Sequence, residues 1–405
     1  MLFSLGLVAV IVVLEMPEGR DFHVYFVAMQ SVAHTGDPYA IWPPSEVPYM
    51  YPPLLAYLMQ PLRKLDLRSA LLMWTALNVA LSAGILLLAT RLSGSVLLRR
   101  AWGVAWFILL LSGPGGYLLR TGQVGAIIGI LMVGSVACFK KSFPLAALLL
   151  AVAINLKLYP ALLALPYLLW RTEDMRELVR RLAWLVIWTL GLFCVGWLVW
   201  GWPVYQEYID RFFLQPVYVY PYQSDFNVSI NAFFLRLFSV NEYTAPIVAA
   251  PRLASALTIL ANSVVFAACL WCSWVARSRR PELVFSAWIV GMMLISPSNG
   301  SYNFVVLALP FACVFARLER RPDPWLRNFA LLSGAILALP TAAGVLGVHP
   351  WLYYHYGTLV LSAPIYALAG LFALLVRCVA AEREPAAAPQ PEMATASVGQ
   401  LKSAP

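Results

Sequence analysis

Asp21 follows the first apolar run of the chain and closes a short polar stretch that begins at Glu15. Aspartate is a favoured helix N-cap, and capping the next helix is one reading of it. The other is a general base held at a membrane surface, where lipid strips water from the carboxylate and raises its proton affinity. Lys157 interrupts an apolar stretch between Leu156 and Leu158. A lysine there can snorkel from a helix end, or it can bind a phosphate at the membrane surface. Arg120 and Gln123 in LLRTGQ, and Arg236 in NAFFLRLF, are further candidates for that task. Such groups beside apolar surface suit an anionic lipid headgroup if the fold brings them together.

Three polar clusters add possible sugar contacts. SPSNGSYN (296–303) has the composition of an ordinary hairpin and also offers Asn299, Tyr302 and Asn303. YQSDFNVSINAF (222–233) offers Asp225, Asn227 and Asn231, and Asn227-Val-Ser229 is a glycosylation sequon that matters only in a eukaryotic lumen. His349 and His355 flank the aromatic HPWLYYHY and read as interfacial belt residues. Cys269 and Cys272 form a C-x-x-C inside an apolar helix pattern with no second ligand pair, so core packing is expected there and no metal site.

The elements that must position these residues belong to a membrane. The chain has 405 residues, 61% hydrophobic and 12% charged. A soluble domain is roughly a quarter charged, so too few charges remain to cover a watery surface. Fifteen Trp and nineteen Tyr suit several membrane–water interfaces. The net charge of +9 does not imply nucleic acid, because most charges sit in short clusters between apolar runs. Those runs lie at about 1–14, 68–91, 101–119, 124–139, 143–156, 158–170, 182–200, 253–276, 283–296, 302–317, 327–346 and 356–378. The expected fold is therefore an all-α polytopic membrane protein with about twelve transmembrane helices.

Several runs are short. The pair meeting at Asn155-Leu-Lys-Leu-Tyr-Pro160 reads as broken or re-entrant around a cavity. Two amphipathic pieces, 21–36 and 52–62, are expected within a first outer loop at 16–67, and a second long outer loop at 201–252. Basic clusters at Arg99-Arg100, Lys140-Lys141, Arg171 to Arg181, Arg277 to Arg280 and Arg317 to Arg327 fall on one side, which the positive-inside rule makes cytoplasmic. Residues 1–381 read as one membrane domain, and 382–405 as a disordered cytoplasmic tail rich in Ala, Pro and Ser. No phosphate-binding glycine loop appears, so coupling to ATP is not expected.

At this level of detail a family resemblance emerges. DFHVYFVAMQSVAHTGDPYA followed by YMYPPLLAYLMQPL resembles the first outer loop of GT-C type polyprenyl-phosphate-dependent glycosyltransferases. More narrowly it is similar to glycosyltransferase family 87, which includes bacterial mannosyl- and arabinofuranosyltransferases. The ordered features are Asp21, Tyr25, Gly36 to Tyr39, Tyr51-Pro52-Pro53, Pro61, Gly122-Gln123, Lys157, Pro160 and Ser296-Pro297. Some relatives carry a histidine in the late S-P turn, where this chain has Asn299, Tyr302 and Asn303.

The resemblance implies transfer of a sugar from a polyprenyl-phosphate donor to a glycolipid or polysaccharide acceptor, with inversion. Asp21 would be the base. Lys157, Arg120, Gln123 and Arg236 would bind the donor phosphate, and Tyr25, Tyr51, Asn227, Asn299 and Tyr302 the sugar or acceptor. It implies no cofactor, no metal and no nucleic acid. The enzyme would lie in the plasma (inner) membrane with its site on the periplasmic or extracellular side. A transporter or flippase of a lipid-linked or polar substrate is the alternative. That class favours ionisable groups at mid-membrane and repeated halves, whereas the ionisable groups here gather at one surface.

Overall fold

A computed structural model of the protein describes residues 19–40, 48–172, 174–211, 223–224, 226–241, 243–274, 280–339 and 353–382. Among the described residues the chain is helical with no strand, and isolated bridges join Asn227 to Gly300 and Ala245 to Tyr354. The expected first run at 1–14, the tail from 383, Asp225 and His349 lie outside the described residues.

Helix α1 (Arg20–Thr35) ends at Gly36, whose N–H bonds back to Val32. Helix α2 (Pro53–Leu58) opens on a proline, at a position whose N–H would have no helical partner. A 3-10 turn at Gln60–Lys64 leads to Asp66, whose carboxylate accepts from Ser69 N–H at 3.1 Å and starts α3 (Leu67–Ser93). After α4 (Val96–Arg100), α5 (Trp102–Leu111) and α6 (Gly113–Thr121) meet at an angle of 63°. Ser112 makes the corner by accepting Gly115 N–H at 3.1 Å, and Pro114 occupies the first turn of α6.

Helices α7 (Gly125–Phe139) and α8 (Phe143–Leu156) follow. Lys157 then leaves the helix with extended backbone, φ −159° and ψ 134°. Pro160 cannot donate a helical bond back to Leu156, so the chain passes through a 3-10 turn (Tyr159–Leu163) before α9 (Ala164–Leu169). The break expected from the sequence is therefore present. Next come α10 (Met175–Trp200), α11 (Trp202–Ile209), α12 (Ile230–Phe238) and α13 (Pro251–Trp274). The last are α14 (Pro281–Ile295), a 3-10 turn (Ser301–Leu307) running into α15 (Ala308–Arg320), α16 (Pro324–Ala338), α17 (Gly357–Leu361) and α18 (Ala363–Ala381).

Helix α14 is the centre. Every residue from Pro281 to Leu294 is buried, and α13, α15 and α18 pack around it. A second group sets α7 between α8 and α3, with α10 against α8. Helices α10 and α13 present long apolar flanks outward, with Leu198 83% and Ile259 67% exposed. Surface of that kind has lipid as its natural solvent.

Five segments are long and apolar enough to cross a membrane: α3, α10, α13, Ser301–Arg320 and α18. The bent α5–α6 pair makes six if it is one span. The expectation of about twelve passages is not matched by this measure. Among the described residues the remaining apolar runs are helical but short, and the 15 residues of α7 or of α14 reach only about 22 Å, against a hydrocarbon core of about 30 Å.

Candidate active site

The site is built where α1, the chain before α2, the α6–α7 turn, the α8 break and the turn after α14 converge. Helix α1 begins after Gly19 with no side-chain cap. Asp21 is thus not the N-cap. It lies in the first turn, where the helix dipole favours a negative charge. Its carboxylate is partly exposed and accepts no hydrogen bond among the described residues. Its charge acts on Tyr25, one turn along α1, and on Lys157. The fold therefore brings the carboxylate near enough for its charge to act on the lysine, although 136 positions separate them in sequence.

Lys157 owes its position to the break. As its backbone is extended, the side chain leaves α8 and enters an aromatic cage. The ammonium lies 5.0 Å from the centre of the Tyr302 ring, 5.1 Å from Tyr51 and 5.6 Å from Tyr159. Each ring face attracts the cation electrostatically.

Beside the cage lies a polar triangle. The hydroxyls of Tyr25 and Tyr51 are 2.9 Å apart, and each lies 3.1 Å from Gln123 Oε1. Burial, reinforced by Tyr51 and Asp21, pushes the Tyr25 phenol well above its ordinary pKa, so it keeps its proton. The Gln123 amide nitrogen has no partner among the described residues, which leaves its N–H donors for an incoming group. Gly122 makes this possible. Its φ is +69°, and a Cβ there would stand 2.6 Å from Phe22 Cβ, so only glycine lets the turn close on α1. Its carbonyl accepts the indole N–H of Trp74 at 2.7 Å.

Arg120, two residues before this glycine, is exposed and has no ion pair among the described residues. Tyr117, also on α6, stacks on Tyr302 with ring centres 5.9 Å apart.

The other expected residues stand behind the cage. Asn227 is fully buried. Its Nδ2 donates to Pro297 O at 2.9 Å, and its Oδ1 accepts from Asn299 N–H at 3.0 Å. Val228 N–H donates to Asn299 O at 2.7 Å. Asn299 is also buried, and its side-chain oxygen accepts from Asn303 at 3.1 Å. Arg236, on α12, is not grouped with Lys157. Its guanidinium donates to Ser224 O at 2.9 Å, Asn227 O at 3.0 Å and Ser362 Oγ at 3.1 Å. Arg236 thus braces the 224–227 segment, that segment clasps the 297–300 turn, and the turn carries Tyr302 to Lys157. Of the histidine pair, His355 is exposed with Nδ1 3.1 Å from Pro246 O.

Trp74, Tyr117 and Tyr159 join the site only in the fold. Tyr159 had a signal, since it lies between Lys157 and Pro160. Trp74 and Tyr117 had none, because one aromatic in an apolar helix looks like any other.

The long apolar helices define a membrane protein. The model of glycosyltransferase family 87 matches residues 49–297, more than half the chain, and the protein belongs to that family. It is accordingly a membrane glycosyltransferase. No curated protein matches the chain. The family match takes in Tyr51, Arg120, Gln123, Lys157, Asn227 and Arg236, while Asp21 and Tyr25 precede it and Asn299 and Tyr302 follow it.

Proposed function

We propose that the protein moves a sugar (mannose, another hexose or arabinofuranose) from a polyprenyl-phosphate donor to a glycolipid or polysaccharide acceptor. The reaction takes place with inversion, on the extracytoplasmic face of the plasma membrane. The observation that carries this reading is an uncommitted carboxylate, Asp21, whose charge reaches a caged ammonium, Lys157. Inverting transfer needs a base on the acceptor side and positive charge on the leaving-group side.

Asp21 takes the proton of the acceptor hydroxyl as that oxygen bonds to the anomeric carbon. The bond from that carbon to the phosphate oxygen breaks, and its electron pair leaves with the lipid phosphate. Lys157 faces that growing negative charge from within the cage, and Arg120 meets it from the rim. The amide nitrogen of Gln123, whose carbonyl is anchored by the two tyrosines, is placed to donate to a sugar hydroxyl. Asn227, Asn299 and Arg236 act on the reaction by holding Tyr302 against the lysine.

The test is transfer from polyprenyl-phosphate mannose, and separately from the arabinofuranose donor, to envelope glycolipids by the purified full-length protein. Removing a general base typically costs about 100- to 10,000-fold, so Asp21→Asn should lose nearly all transfer while melting at the wild-type temperature. Undiminished transfer by this variant would exclude Asp21 as the base. Movement of labelled donor across a vesicle without a new glycosidic bond would replace the enzyme by a transporter.

A further inference from the structure

At the other end of α3 from Trp74 lies a pocket of about 400 Å³, lined by Leu87, Thr90, Arg91, Arg99 and Trp102. Arg91 follows Trp74 by seventeen positions, about 25 Å along the helix, so this pocket is separate from the site at Asp21. Arg91 and Arg99 are exposed, and neither guanidinium has an ion pair or hydrogen bond among the described residues. The indole N–H of Trp102 is buried and has no hydrogen-bond partner among the described residues. An unpartnered buried donor is costly, and beside two free cations it calls for an anionic acceptor.

The surroundings are built to keep these groups in place. Glu319, on α15, grips the start of α4. It accepts from Ser95 Oγ at 2.5 Å, Val96 N–H at 2.8 Å and Leu97 N–H at 3.0 Å. Its carboxylate is thereby spent on the backbone that carries Arg99. On the same short helix Val96 and Leu97 are 48% and 55% exposed, an apolar surface beside the basic one. Trp102 is fixed by stacking on Trp106, with ring centres 5.5 Å apart.

We propose that this pocket binds the phosphate group of an anionic membrane lipid, with Arg91 and Arg99 on the phosphate oxygens and Trp102 Nε1–H donating to one of them. Basic pockets between membrane helices are suited to such headgroups. The exposed Val96 and Leu97 favour a lipid over free phosphate as the source.

The test is native mass spectrometry of the full-length protein from phosphatidylcholine nanodiscs with and without phosphatidylglycerol. The wild type should retain phosphatidylglycerol in preference to phosphatidylcholine. R91A/R99A should retain it about thirtyfold less well, each cation near a headgroup being worth a factor of about five. Trp102→Phe keeps the ring and loses the N–H, and should weaken retention about tenfold. Arg100→Ala, whose side chain is outside the pocket, should leave it unchanged. Displacement of the lipid by inorganic phosphate would support the phosphate site and name free phosphate as a competing source. Equal retention by wild type and R91A/R99A, or an equal loss in Arg100→Ala, would overturn the proposal.

Discussion

Replacing Lys157 by methionine separates charge from packing at the site. The ammonium is held 5.0–5.6 Å from three tyrosine rings and within reach of the charge of Asp21. Two unit charges 4 Å apart interact by about 4 kcal/mol at an effective dielectric constant of 20. Without the cation, the leaving phosphate loses stabilisation of that order, and kcat/KM should fall about a thousandfold. Stability should scarcely change. The cage loses cation–ring attraction of about 0.5–2 kcal/mol for each ring. Against this, the folded protein no longer holds a cation away from water, a cost of several kcal/mol. Methionine also fills the same volume and gains sulfur–ring contacts of about 0.3–1.5 kcal/mol each. The two sides nearly cancel, so the melting temperature in detergent, followed by tryptophan fluorescence, should stay close to that of the wild type. Sugar transfer is measured on the same preparation. A variant that keeps more than a tenth of wild-type transfer would refute the phosphate role. A variant that unfolds early and loses transfer in proportion would make Lys157 a structural residue. Lys157→Arg keeps the charge and should recover part of the rate.

Arg236→Met should destabilise the protein by about 3 kcal/mol, because Ser224 O, Asn227 O and Ser362 Oγ each lose a charged donor; a melting temperature equal to wild type would show that the brace carries no weight. Asp37 offers a pH test. Burial, with Glu207 adding to it, holds its carboxyl above the ordinary value, against the opposing Tyr39 N–H and Arg211. A raised folded pKa means that this group's contribution to stability is full below the unfolded pKa and is lost as pH rises through the folded one. Asp37→Asn, which can still accept from Tyr39 N–H as Asp37 does at 2.9 Å, should therefore raise the melting temperature at neutral pH and leave it unchanged below about pH 3. An equal gain at both pH values would refute the linkage.

Much of the fold was legible because helices in an apolar chain are separated by few, strong signals. Asp66 and Gly94 bound α3, and Lys157 with Pro160 marks the break after α8. The number of membrane crossings was less legible. Hydropathy reads α7, α8 and α14 as spanning runs, yet their lengths fall short. The corner between α5 and α6 joins two such runs into one bent pair. At the site, the sequence pointed to Asp21, Lys157 and the tyrosines, and the structure brings these together. It did not reveal the cage, whose rings come from positions 51, 159 and 302. Arg236 illustrates the opposite difficulty. A lone cation in an amphipathic helix resembles an anion ligand, and only the fold reveals that carbonyl groups surround it.

The complete enclosure of α14 bears on how the protein is made. A helix released alone into a bilayer must satisfy itself against lipid tails, and α14 is too short to bridge them. Its outer surface is supplied by α13, α15 and α18, and the last of these is synthesised about seventy residues after α14 ends. The nascent chain therefore carries an unfinished core while those seventy residues are made. The central packing can close only when α18 enters, so the core is completed after the helices that precede it.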